Sequence, residues 1–108
     1  MRDVDSPTAL AKRFIELFPR FATELQDEEE ITSYHQVVLR LTPVVTGYLE
    51  RASIQTTQKF CEVINGLVAA TGERENAIST CLLEHASQVR LHDLIRPHLS
   101  AAAKRQLR

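Results

Sequence analysis

Glycine and proline are scarce in this chain, three and four in 108 residues, which leaves little room for the tight turns of β-hairpins. No stretch alternates apolar and polar residues in the manner of a half-buried strand. The three glycines stand apart, so no phosphate-cradling glycine loop is present. Only two cysteines occur, Cys61 and Cys81, both inside helix-like apolar patterns; they read as reduced core thiols rather than a disulfide framework. No apolar run approaches the ~20 residues that cross a bilayer. No basic segment leading into an apolar stretch begins the chain, so no secretory signal is expected and a cytoplasmic location is. Net charge is also lacking, at −1, which gives the molecule as a whole no strong pull toward nucleic acid or membrane.

What is present is ordinary globular composition, 44% apolar and 25% charged, enough for one domain over residues 1–108 with a single core. The charges are unevenly spread. Residues 1–30 hold four basic against eight acidic side chains, and residues 90–108 hold five basic against Asp93 alone. One end is therefore acidic and the other basic.

Helical periodicity runs through almost the whole length. Ser6 and Pro7 suit the N-cap and first position of a helix. Leu10, Phe14, Leu17, Phe18, Phe21 and Leu25 then form its apolar stripe. Pro19 interrupts that stripe and predicts a sharp kink or a second short helix. Asp27, Glu28, Glu29 and Glu30 form an unbroken acidic run that closes the segment, where negative charge opposes the helix dipole. This run is either a solvated loop or a patch that meets a basic partner. Thr32 or Ser33 caps the next helix, which carries Tyr34, Val37, Val38, Leu41, Val45, Tyr48 and Leu49; Pro43 and Gly47 predict a kink in its middle. The two tyrosines read as core residues with hydroxyls at the edge. A third helix opens at Thr56 or Thr57, carries Phe60, Ile64, Leu67 and Val68, and stops at Gly72. A fourth holds Ile78, Cys81, Leu82 and Ala86 on one face and extends to residues 87–89. A short turn at Leu91, Leu94 and Ile95 ends at Pro97, and Ser100 caps a last helix with Lys104, Arg105 and Arg108 at its end. The expected fold is all-α, a compact antiparallel array or bundle of five to six short helices.

Chemistry is harder to find. Cys81 and His85 lie one helical turn apart and supply two zinc ligands, with His92 or His98 as further candidates, but no paired C-x-x-C or H-E-x-x-H element completes the set. Cys81 falls on the apolar stripe and reads as core, and His85 as a hydrogen-bonding group at a helix end. No metal or other cofactor is expected. Glu84 and His85 are neighbours in sequence and so diverge on a helix, which leaves Glu84 facing solvent. No nucleophile elbow occurs, so an enzyme is not expected. The basic C-terminal residues are explained by the helix dipole, and nucleic-acid binding is not expected.

The sequence N-A-I-S-T-C-L-L-E-H at 76–85, followed by I-R-P-H-L at 95–99 and preceded by L-F-P-R-F at 17–21, resembles short bacterial all-α proteins of uncharacterised function. Such families resemble immunity proteins of bacterial toxin systems. The resemblance implies a non-catalytic binder of one cognate toxin domain, and it brings no site residues with it. The acidic run of Asp27, Glu28, Glu29 and Glu30 is then the candidate partner surface, facing a basic cleft. The alternative is an adaptor or regulatory module that takes a peptide or helix in a groove between its own helices.

Overall fold

The capping residues set the frame. In the computed structural model, which describes residues 5–108, Ser6, Ser33, Ser53 and Ser100 each accept a hydrogen bond from a backbone N–H in the first turn of the helix that follows. These are α1 (Pro7–Leu17), α3 (Tyr34–Glu50), α4 (Ile54–Ala70) and α7 (Ala101–Gln106). Between them lie α2 (Phe21–Glu24), α5 (Gly72–Cys81) and α6 (His92–Ile95), with single 3-10 turns at Leu83–His85 and Arg96–His98. The fold is all-α, and no strand occurs among the described residues. Arg2 and Asp3, part of the acidic N-terminal balance, lie outside them.

α5 packs against both α3 and α4, and α1 also contacts that pair. One apolar cluster joins them all. Phe14, Phe21, Phe60, Leu41, Ile64 and Ile78 are among its fully buried side chains. Each large side chain so buried contributes about 1.5–3 kcal/mol relative to exposure. Every residue of the expected α3 and α4 stripes is buried except Tyr48, which is half-buried.

The helix around residues 76–85 is shorter than its periodicity predicts. It ends at Cys81, and Leu82 leaves the helical region at φ −123°, ψ −63°. Cys81, Leu82 and Leu83 are all buried. Successive helical residues point about 100° apart, so a continued helix cannot aim all three inward. The chain instead breaks into short turns, which buries the expected Leu82 and Ala86 together with Leu83.

These turns are held by polar side chains of the long helices. The Thr42 hydroxyl of α3 lies 2.7 Å from the Cys81 carbonyl at the end of α5 and 2.8 Å from its own Val38 carbonyl. One turn on, Thr46 donates to the Val89 carbonyl. From α4, Asn65 accepts from Ser100 N–H at 2.9 Å and reaches the His98 carbonyl, while the Cys61 thiol faces the Ile95 carbonyl. The end of the chain is fastened as well: Arg108 N–H donates to Leu83 and Ser87 N–H to the Arg108 carbonyl. Terminal carbonyls of short helices thus find donors within the protein.

Other boundaries differ in detail. α3 runs as one helix through Pro43 and Gly47, and α4 begins at Ile54 because Ser53 caps it. The reversal into α5 uses two left-handed residues, Gly72 as expected (φ 67°) and also Thr71 (φ 60°). The acidic run closes no helix. α2 ends at Glu24, so the four carboxylates fall in the loop before α3 and away from a helix C-terminus.

Candidate functional site

The sequence L-F-P-R-F builds a corner. α1 ends at Leu17, and Phe18 makes its last bond, to the Phe14 carbonyl at 2.8 Å. Pro19 has no N–H with which to extend the helix. The chain turns there, Phe18 and Phe21 point inward, and Pro19 and Arg20 stay exposed. The Phe18 ring stacks on Tyr48 of α3, with centroids 5.3 Å apart and planes at 27°, and meets Phe60 edge-on at 5.4 Å.

Between this corner and the second half of α3 lies an open apolar groove of about 520 Å³. Its first wall is Leu17, Phe18, Pro19 and Arg20. Its second is the side of α3 carrying Pro43, Val44, Gly47, Tyr48 and Arg51, and Ala52 and Thr56 close one end. The volume falls within the roughly 300–1,000 Å³ range of ligand pockets. Ile54, the first residue of α4 and close in sequence to Ala52 and Thr56, is 61% exposed. The Tyr48 hydroxyl has its pKa raised, first by burial and then by the Glu24 carboxylate, with Arg20 acting in the opposite sense. It is therefore a neutral phenol at ordinary pH, able to donate or accept.

Gly47 is informative because nothing lies within 4 Å of where its Cβ would be. No neighbour requires glycine there. Pro43, one turn earlier, removes the N–H that the Leu39 carbonyl would receive in a regular helix. Both residues weaken α3, and both line the groove. The sequence signal was visible as a Pro and a Gly four apart in a strong helical pattern, but it pointed to a kink rather than a site.

The acidic run divides. Glu28 turns toward the protein: its carboxylate accepts from Arg40 Nε and Gln36 Nε2, each at 2.8 Å, and its side chain is 21% exposed. Gln36 also donates to the Glu30 carbonyl and accepts from Thr32 N–H, so one side chain ties the loop across α3's first turn. The hydrogen bonds from Gln36 and then Arg40 hold the Glu28 pKa below the ordinary glutamate value of 4.5. Asp27, Glu29 and Glu30 remain exposed.

Cys81 and His85 are not brought together as ligands. Cys81 is buried, which raises its pKa, and the exposed His85 lies with Nδ1 3.0 Å from Gln88 Oε1. No group of three or more His, Cys, Asp or Glu among the described residues is arranged to hold a metal ion. Burial pushes the Cys61 thiol up to about 12. Glu84 is exposed, as expected. A second hollow, of about 500 Å³, gathers Ser87, Arg90, His92 and Asp93. His92 Nδ1 is 3.3 Å from Asp93 Oδ1, yet Asp93 is fully exposed and Ser87 makes no side-chain bond to His92 among the described residues. That arrangement lacks the aligned base a serine nucleophile needs. None of the described helices is long and apolar enough to cross a membrane.

Compared with family models, curated proteins and solved structures, the chain finds no match.

Proposed function

We propose that this protein is a non-catalytic binding domain that receives an apolar segment of a partner protein in the groove between the α1–α2 corner and α3. The observation that carries this reading is the placement of Pro43 and Gly47. An interior proline costs a helix about 3 kcal/mol and a glycine about 1 kcal/mol relative to alanine. Packing does not demand the glycine, since a Cβ at position 47 would meet open space. Residues that break a local rule without a packing reason point to function. Here they keep one side of α3 low and the groove open beside Phe18 and Tyr48. The high thiol pKa of Cys61 and the unaligned Ser87 and His92 support a non-catalytic role.

Selection of a displayed library of random peptides against the full chain tests this reading. Peptides with apolar residues at helical spacing should be enriched on the natural chain and lost on Gly47→Leu, whose side chain fills the groove. Enrichment that is indifferent to Gly47→Leu would overturn it.

A second reading is favoured by the acidic loop: an immunity-type protein of the cytoplasm that neutralises a cognate toxin by covering a basic cleft. The Glu28 clamp holds Asp27, Glu29 and Glu30 on a fixed loop, exposed for such a contact. Co-expression with a toxin encoded beside the gene should rescue growth, and reversing those three charges while keeping Glu28 should abolish rescue. Undiminished rescue by the reversed variant removes the acidic loop from the mechanism.

A further inference from the structure

The chemistry of the groove's occupant follows from its shape and from where positive charge is left unanswered. Pro43, Val44, Gly47, Tyr48 and Arg51 recur along α3 at spacings of three and four, so this wall is a straight trough rather than a closed hole. From Pro43 to Arg51 it measures about 12 Å at 1.5 Å rise per residue, two turns of a helix. Two turns accommodate the anchors of an amphipathic helix at positions i, i+3 or i+4, and i+7.

Charge then selects among such helices. Between residues 5 and 80 the chain has five arginines: Arg13, Arg20, Arg40, Arg51 and Arg74. Arg13 pairs with Glu16, Arg40 with Glu28 and Arg74 with Asp5. Arg20 and Arg51 have no carboxylate partner among the described residues, as is also true of Arg90, Arg96, Arg105 and Arg108 further on, but of these six it is Arg20 and Arg51 that line the groove. Arg51, just past the C-terminus of α3, also complements that helix's dipole. Arg20 lies three residues past Leu17, the end of α1, where a cation is likewise favoured. It also precedes the first residue of the four-residue α2, so neither dipole ties it to a carboxylate of this chain.

Resting on the reading of the groove as a protein-binding site, we infer that its occupant is an amphipathic helix of a partner protein whose apolar face is flanked by Asp or Glu. Phe18, Val44 and Tyr48 take the apolar side chains. Arg20 and Arg51 take the flanking carboxylates, and the paired guanidinium donors suit them.

The displayed library provides the test through the composition of what it enriches. Peptides recovered on the natural chain should carry acidic residues beside their apolar anchors. The double variant Arg20→Glu/Arg51→Glu, confirmed folded by circular dichroism, should bind an enriched peptide at least roughly tenfold more weakly, as loss of two partly screened ion pairs implies. Repeating the selection on that variant should recover Lys or Arg flanks. Binding to the natural chain should weaken with added salt. Enriched peptides that have neutral flanks and bind the double variant equally well overturn the inference about charge. If those same peptides are lost on Gly47→Leu, the groove reading stands without it. Indifference to both variants, or no enrichment at all, overturns both.

Discussion

The acidic loop and the groove carry opposite charges and had opposite prospects as sites. Four consecutive carboxylates look like a surface made for a partner. In the fold the second of them, Glu28, is taken up by Arg40 and Gln36 and fixes the loop against α3. Pro19, Pro43 and Gly47 look like defects in helices. In the fold they line one trough, with Arg20 and Arg51 at its edges. A charge that already has its partner stabilises the fold and is costly to redirect; an exposed charge without one, such as Arg20 or Arg51, is available to a ligand. Density of charge along the sequence is thus a poorer guide than whether each charge is satisfied.

The contrast can be tested from its largest expected effect downward. The groove floor is core: Phe18 is 5% exposed and packed on Tyr48 and Phe60, so Phe18→Ala should cost about 3–5 kcal/mol in urea unfolding. A loss below 1 kcal/mol would mean that the floor rearranges freely and the groove has no fixed shape. A control on the side of α3 that faces α5 is Thr42→Val, which leaves the buried end of α5 without its donor and should cost about 1–3 kcal/mol. Gly47→Ala should work in the other direction, raising stability by about 0.5–1 kcal/mol, because the new methyl meets nothing. A destabilised Gly47→Ala would show that the fold itself needs the glycine.

Smaller still is the effect at Glu28, and it depends on pH. Its folded pKa is depressed, so its contribution is complete above the ordinary value of 4.5 and is lost as pH falls through the lower folded value. Glu28→Gln should therefore unfold at lower urea than the natural chain at pH 7. The gap should narrow below pH 4.5. A gap that stays constant down to strong acid would remove the carboxylate from the loop's stability. Last, Arg20→Ala and Arg51→Ala should each leave stability within about 0.5 kcal/mol of the natural chain. A larger loss would mean that these arginines serve the fold after all.

Much of the frame was legible in the sequence. Ser6, Ser33 and Ser100 cap as their positions suggest, and the stripe residues of α1, α3 and α4 face the core. Such features are local, set by backbone hydrogen bonding and a period of 3.6 residues. The break after Cys81 was not legible, because three successive buried residues satisfy a helical stripe in part and only the surrounding packing decides. Nor were the clamps from Thr42, Thr46 and Asn65, which span 33 residues or more of sequence. The groove lay hidden for a similar reason. Pro19 and Pro43 were conspicuous singly, but nothing in the order of residues shows that the corner at one faces the helix of the other.

One measurement bears most directly on the claim that function lies in the groove rather than in the acidic loop. A library-enriched peptide is titrated calorimetrically into the natural chain, Gly47→Leu and Glu28→Gln, each verified as folded at the same pH and salt. Blocking the trough should weaken binding at least roughly tenfold, a change of about 1.4 kcal/mol, while Glu28→Gln should bind as the natural chain does. Equal binding to Gly47→Leu, or a loss confined to Glu28→Gln, would contradict the account.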